Sequence, residues 1–334
     1  MRLVLIASLL VGLLAGRAEA WSEAGHRIIA SIAFRQLTAP QQSRLVRLLE
    51  QHPRFQEDFQ KHIPADLSPE DRPEWIFQQA ALWPDLARGI PEEVRSAFHH
   101  PTWHYINRPF YLTARDQEQL QSLLTVNLDL DPPASGDIEA LNVIQAIRYA
   151  RQQQSRPNHP ASERALLLSW LFHNVGDVHQ PLHSSAMFAE GLFPEGDRGG
   201  NLIRTGQRSN LHSVWDGLPG GRMPLREARN RALKLMSHSE LRNLGTAAGR
   251  QLHEDVWLEE SHSACRDAVY TPEVMAHLRS LPRREMPQLP PLSLTEDYLK
   301  TAGAVAERRV VQAGYRLGAI LQEVAGPDAG SGRQ

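Results

Sequence analysis

The feature that most constrains this 334-residue chain is the run His173-Asn-Val-Gly-Asp177-Val-His179-Gln-Pro-Leu-His183, with three histidines and a carboxylate in eleven residues. It closes a strongly apolar stretch, Ala165-Leu-Leu-Leu-Ser-Trp-Leu-Phe172, which reads as a buried helix. Positions i and i+4 share one helix face, so His173 and Asp177 point the same way, about 6 Å apart along the axis. Pro181 ends the helix and His183 leaves in a new direction. Imidazole and carboxylate are ligands that zinc takes, so one short segment carries donors for two metal ions. Taken alone, the run reads equally well as a helix end whose histidines are satisfied core residues.

Residues 1–20 read as a secretory signal peptide. Arg2 supplies the charge, Leu3 to Leu14 the apolar run, and Ala18-Glu19-Ala20 the small-x-small cleavage site. The run is too short for a comfortable transmembrane span. Cleavage after Ala20 would expose the α-amino group of Trp21, whose pKa near ~8 lets a metal displace its proton at little cost. That amine and the Trp21 carbonyl oxygen could close a five-membered chelate ring. Ile28, Ile29, Ile32 and Ala33 follow with helical spacing and place His26 in the early turns of an amphipathic helix. The alternative is a helix whose first residues merely include Trp and His.

Three further segments offer donors. Trp83-Pro-Asp85-Leu-Ala-Arg88 follows a helix that opens at the cap signal Ser68-Pro-Glu-Asp71. Trp103-His104-Tyr-Ile-Asn107 reads as a loop or short extended piece, and Asn210-Leu-His212-Ser-Val-Trp-Asp216 repeats the i, i+4 spacing. Singly these are a helix cap, a packed histidine and a hydrogen-bonded pair. Together Trp21, His26, Asp85, His104, His173, Asp177, His183, His212 and Asp216 form a set of nine candidate metal ligands. Three four-coordinate zinc ions need a bridging ligand among them, or water to fill the shells. His52, His62, His99, His100, His159, His238, His253, His262 and His277 lack such paired settings and read as surface or supporting residues.

In order along the chain, Trp21…His26, Trp83-Pro-Asp85…Arg88, Trp103-His104, His173…Gly176-Asp177…Gln180-Pro-Leu-His183, Gly199-Gly-Asn201, Asn210-Leu-His212…Trp215-Asp216 and Trp257…Glu260-Ser261 resemble the S1/P1 single-strand-specific zinc nucleases. That family also has 3′-nucleotidase activity, and it shares its fold and most of its ligands with zinc-dependent phospholipase C. The resemblance implies three zinc ions at the base of a cleft in an all-helical domain. It implies that Asp85, His104, His173 and Asp177 hold one ion. Trp21, His26 and the bridging Asp177 would hold the second, and His183, His212 and Asp216 the third. It further implies that Arg88 meets the scissile phosphate and that Tyr105 and Asn107 contact the nucleobase. Arg88, Asp177 and Asp85 would be the catalytic residues, with Asp85 helping to orient water.

The implied chemistry is in-line hydrolysis leaving a 5′-phosphate, since zinc can bring the pKa of water near ~7. Tyr105 and Asn107 depart from the Phe and Asp of fungal members. Stacking survives this change, whereas base preference is open because an amide both donates and accepts. Fungal and plant members use disulfides; this chain has only Cys265 and cannot form an internal one. A domain of this size does not depend on such staples, and the expected location is periplasmic or secreted. Phospholipase C is the first alternative, although its members carry Glu at the position of Asp216. An exported protein whose zinc ions only brace the fold is the second.

The formal net charge is −2, and removing Arg2, Arg17 and Glu19 takes it to about −3. This is not the basic footprint of a protein that grips nucleic acid by many phosphate contacts. Divalent ions in one cleft would reverse the sign locally, so binding is expected to focus on one or two phosphates and stacked bases. Single-stranded nucleic acid and 3′-nucleotides are the expected substrates, with no stable protein partner, no membrane anchor after cleavage and a monomeric state.

The expected fold is all-α, with one domain over 21–324 and a disordered tail over 325–334. Helical patterns cover 40–52, 68–82, 137–154, 162–178, 224–237, 240–270 with a break at Gly245, and 293–324. Phe110–Thr113 and Asn201–Arg204 read as short extended pieces, and 193–201 as a turn-rich loop that could shape a cleft rim. Gly176 inside the ligand helix costs about 1 kcal/mol relative to Ala, which points to close approach of another backbone, the Trp21 segment being the candidate.

Overall fold

The computed structural model describes residues 21–328 except 135, 136, 157 and 285–287. The proposed signal peptide at 1–20 lies outside the described residues. Thirteen α-helices follow along them. They are α1 Glu23–Phe34, α2 Ala39–Leu49, α3 Arg72–Leu86, α4 Glu92–Arg95, α5 Ala114–Leu120, α6 Val143–Gln154 and α7 Ala161–Asp177, then α8 Leu211–Asp216, α9 Leu225–Ser237, α10 Ser239–Ala248, α11 Glu254–Ala264, α12 Pro272–Ser280 and α13 Glu296–Ala325. The fold is all-α, as the sequence patterns indicate.

Helix α7 is the central element. From Leu167 to Asp177 every residue is buried, including the polar ones. A helix apolar nearly all round must be enclosed by others, and α1, α2, α3, α6 and α13 pack against it. In α13, Ala302, Ala306, Val310, Ala313 and Leu317 form the buried stripe, with Leu299 partly buried at its start. A second apolar cluster, with Leu182, Leu211, Trp215, Tyr270 and Leu292, lies beside the first. The candidate ligands fall at the seam, since Trp21 and Trp103 belong to the larger cluster and Leu182 and Leu211 to the smaller.

Several boundaries differ from the expected ones for identifiable reasons. Helix α3 starts at Arg72, not Ser68, because Ser68–Asp71 closes a turn (Asp71 N to Ser68 O, 3.0 Å) and Pro73 suits the first helical turn. Residues 137–139 turn back through Asp137 Oδ1, which accepts from Glu139 N at 2.7 Å, so α6 begins later. The pattern over 240–270 breaks at Gly249–His253, while Gly245 stays inside α10 against Tyr315. It then ends in a π turn at Cys265–Val269. Residues 201–204 are turns rather than a strand. The strands are β1 Arg108–Tyr111 and β2 Ser185–Phe188, paired in parallel with Arg108 opposite Ser185. Strand β2 is buried at all four positions, so it has no alternation to reveal it. The expected tail is partly fastened: Arg44 donates to the carbonyls of Ala325 (2.9 Å) and Gly326 (3.1 Å) and pairs with Asp328. Residues 329–334 lie outside the described residues.

Helix α6 carries a cap that also ties down the cleft. Asn142 Oδ1 accepts from Ile144 N and Gln145 N, both at 3.0 Å, and Gln145 Oε1 accepts from Asn142 N at 3.1 Å. Asn142 Nδ2 donates to Asp129 O at 2.8 Å, and Val143 N donates to Tyr105 O at 3.1 Å. Asn142→Ala is expected to lower stability by ~1–2 kcal/mol, read as an earlier urea midpoint at unchanged slope; an unchanged midpoint would contradict this account of the cap.

Candidate metal centre

Asp177 ends α7 with its side chain fully enclosed. One carboxylate oxygen, Oδ1, lies 3.3 Å from His26 Nε2. The other, Oδ2, lies 3.0 Å from His104 Nδ1 and 3.2 Å from His173 Nε2. His173 Nε2 is also 3.1 Å from His104 Nδ1 and 3.8 Å from Asp85 Oδ1. The His26 ring stacks on His173 with centroids 4.1 Å apart and planes at 13°. That stack needs Gly176: a Cβ there would sit 2.8 Å from both Cε1 and Nδ1 of His26. The close approach is thus by the His26 side chain, not by the backbone of the Trp21 segment.

A second array lies alongside. His183 Nε2 and His212 Nε2 are 3.1 Å apart, and His212 Nε2 is 3.4 Å from Asp216 Oδ2. Gln180 Nε2 donates to Asp216 Oδ1 at 2.8 Å, a support whose partner the sequence reading did not assign. Three rings are oriented alike: Nδ1 of His173, His183 and His212 donates to the carbonyls of Ala81 (2.8 Å), His104 (2.6 Å) and Gly199 (2.7 Å). Fixing the proton on Nδ1 leaves the Nε2 lone pair facing the cluster.

The Trp21–Ser22 segment packs onto the same region. Trp21 is fully buried, Ser22 N donates to Asp216 O at 2.9 Å, and Ser22 Oγ donates to Gly220 O at 2.5 Å. Residues Trp21, His26, Asp85, His104, His173, Asp177, His183, His212 and Asp216 therefore come from five separate stretches of chain into one neighbourhood. Three groups have donor atoms within 4.8 Å of one another: His26, Asp85 and His173; His104, His173 and Asp177; and His183, His212 and Asp216.

These donors fit divalent metal. Ligand atoms ~2.1 Å from a tetrahedral ion lie roughly 3.4 Å from each other, close to the separations above. His26 Nδ1 and His104 Nε2 are buried without a hydrogen-bond partner among the described residues, an arrangement that costs about 1–3 kcal/mol per group if nothing else satisfies it. Burial pushes His104 down to about 4 and His212 down to about 3, and it lowers His26 and His183 as well. These rings are neutral at pH 7, the form that binds metal. Burial also acts to raise Asp177, but the neighbouring His173, His183 and His104 outweigh it and hold the carboxyl well below its usual range.

The donors open on a cleft of about 480 Å³. Arg88 lines it and pairs with Asp85 (Nη2 to Oδ1, 2.7 Å). Tyr105 and Asn107 form another part of the wall, with Tyr105 39% exposed. The 193–201 loop supplies Glu195, Arg198, Gly199 and Asn201, so it does shape the rim. His99 lines the cleft as well, which the sequence reading did not anticipate. His52, His100 and His262 are buried supports rather than surface residues, and His100 Nδ1 contacts Glu139 Oε2 at 3.0 Å. His179 points away from the donors, to Arg316 Nη1 at 2.7 Å.

The His26 stack yields a direct test. Gly176→Ala should raise helix propensity by about 1 kcal/mol, yet its methyl group displaces the His26 ring. The expected outcome is lower bound-metal content by plasma mass spectrometry with α-helix content retained; full metal content would remove the proposed reason for glycine.

The family model of the S1/P1 nucleases matches residues 21–326. Endonuclease 1 of Arabidopsis thaliana is 25% identical over 98% of this chain and 94% of its own length. Endonuclease 4 of the same plant is 27% identical, covering 70% of this chain and 74% of its own. Nuclease S1 of Aspergillus oryzae is 25% identical over 66% of this chain and 72% of its own. With its donors gathered as described and a family match across nearly all of the described residues, the chain belongs to the S1/P1 nuclease family and is a hydrolase acting on phosphodiester bonds.

Proposed function

We propose that this protein is a zinc-dependent phosphodiesterase that cleaves single-stranded DNA and RNA to 5′-phosphate products and also acts as a 3′-nucleotidase. The observation that carries the proposal is the Asp177 carboxylate, which faces His26 with one oxygen and His104 and His173 with the other. A carboxylate so placed would serve two ions at once. Asp85, His104, His173 and Asp177 would hold one ion. Trp21, through its α-amino group and carbonyl oxygen, would join His26 and Asp177 at the second. His183, His212 and Asp216 would hold the third, with only three protein donors and hence an open position.

Bound zinc supplies Lewis acidity and brings the pKa of water near ~7. The remaining work falls to the chain. Arg88 is poised to bind a non-bridging phosphoryl oxygen, and charge-assisted hydrogen bonds from a guanidinium are strong. Its pairing with Asp85 links the phosphate-binding group to the first donor set. Tyr105 offers a ring face to a nucleobase, and stacking of that kind needs an unpaired base. Asn107 presents an amide that both donates and accepts. The cleft is of the size that admits a small ligand and excludes much of the surrounding water.

Export belongs to the same proposal. No helix among the described residues is long and apolar enough to cross a membrane, and the Trp21 amine becomes a ligand only if cleavage follows Ala20. A protein retaining one residue before Trp21 is expected to keep its fold and lose most activity; full activity with an extension in place would remove Trp21 from the ligands. Asp177→Asn should lower activity and zinc content more than His212→Ala, because a bridging carboxylate serves two ions; equal zinc content in Asp177→Asn and the parent would undo the bridging assignment. Assaying single-stranded DNA, RNA, 3′-nucleotides and phosphatidylcholine with one zinc-loaded preparation tests the proposal as a whole. Cleavage of the nucleic acids and 3′-nucleotides, abolished by chelator, is the expected result, and cleavage of lipid alone would overturn it.

A further inference from the structure

We propose that Arg198 is a second phosphate-binding residue, which grips a backbone phosphate beside the scissile one and so favours polynucleotides over substrates that carry a single phosphate. The inference rests on the nuclease reading of the cleft and adds a determinant of substrate length to it.

Arg198 is the one non-glycine residue with positive φ among the described residues, at 55°. An L side chain is crowded in that conformation, and it persists where the surroundings dictate it. Both neighbours are fixed. Asp197 is fully buried; its Oδ1 accepts from Met187 N at 3.0 Å and its Oδ2 accepts from the Tyr270 hydroxyl. Gly199 O accepts from His212 Nδ1 at 2.7 Å, and a Cβ on Gly199 would lie 2.3 Å from Leu182 O. The Arg198 carbonyl is held too, by Asn201 Nδ2 at 2.9 Å. With the backbone pinned on both sides, the side chain is delivered to the cleft, which it lines together with Arg88, Tyr105 and Asn107.

The two cleft arginines differ in their partners. Arg88 is committed to Asp85, beside the paired donor sets. The Arg198 guanidinium is exposed and makes no hydrogen bond or ion pair among the described residues. Through Gly199 it is tied to His212, in the third donor set. A guanidinium is weakly hydrated and presents a planar fork suited to phosphate oxygens. Set at the third donor group rather than the pair, it is placed for the next phosphate along the strand. Glu195 of the same loop also lines the cleft and works against this attraction, so the charge available to a long substrate depends on Arg198.

The test compares kcat/KM of the processed, zinc-loaded protein for a ten-nucleotide single-stranded DNA and for a dinucleoside monophosphate, which has no flanking phosphate. Arg198→Ala should lower the value for the ten-mer about tenfold further than for the dinucleotide, mainly through KM. The logarithmic salt dependence for the ten-mer should become shallower by about 0.7, the signature of one lost phosphate contact on a single strand. Arg198→Lys should recover part of both effects. Equal losses on both substrates would mean that Arg198 only shapes the loop, and no loss on the ten-mer would likewise overturn the inference. If the parent cleaves neither substrate, the nuclease reading falls and takes this inference with it; if the parent cleaves both and the ratio survives in Arg198→Ala, the inference alone fails.

Discussion

The site depends on one buried carboxylate. An ionised Asp177 in a fully enclosed position is costly unless its oxygens are compensated. Three histidines drawn from three separate elements face it, with His26 on α1, His104 in a short turn before β1 and His173 one helical turn earlier on α7, yet Asp177 Oδ1 and both ring nitrogens of His26 have no hydrogen-bond partner among the described residues. Each arrives for a local reason. Gly176 vacates the space that the His26 ring fills. The Ala81 carbonyl turns His173, and the seam between the two apolar clusters admits His104. Cations shared across the Asp177 oxygens would complete an arrangement that protein groups alone leave partly unsatisfied.

The turn that follows Asp177 is held from the far side. Val178 O accepts from Ser261 Oγ at 2.5 Å and from Ser184 Oγ at 3.0 Å. Arg309 Nε donates to His179 O at 3.2 Å, and Arg316 Nη1 meets His179 Nε2 at 2.7 Å. Glu260 answers both arginines at 2.6 Å. Burial pushes Arg309 down to about 10 against the pull of Glu260. Helices α11 and α13 thus clamp the chain between Asp177 and His183, which keeps the two donor arrays in fixed relation without contributing a ligand. Preorganisation of this kind is what a metal site needs, since donors must be held in place by the residues around them.

The sequence made the ligand helix legible because its chemistry is local: i, i+4 spacing, an apolar lead-in and a proline stop all lie within one segment. The all-α class was legible for the same reason. The burial of Trp21 and the bonds from Ser22 to Asp216 O and Gly220 O were not, because they depend on residues nearly two hundred positions away. Strand β2 escaped because full burial erases alternation. The break at Gly249–His253 was misplaced to Gly245, since packing against Tyr315 overrides the helix-breaking tendency of glycine there. The roles of His179 and Gln180 were hidden for a geometric reason: beyond the end of α7 the periodicity no longer says which way a side chain points.

Anomalous diffraction at the zinc edge, from crystals of protein processed to Trp21, tests the central claim most directly. The account predicts three peaks, two of them flanking the Asp177 carboxylate and the third among His183, His212 and Asp216. A peak pattern that leaves either oxygen of Asp177 without an adjacent ion would contradict it.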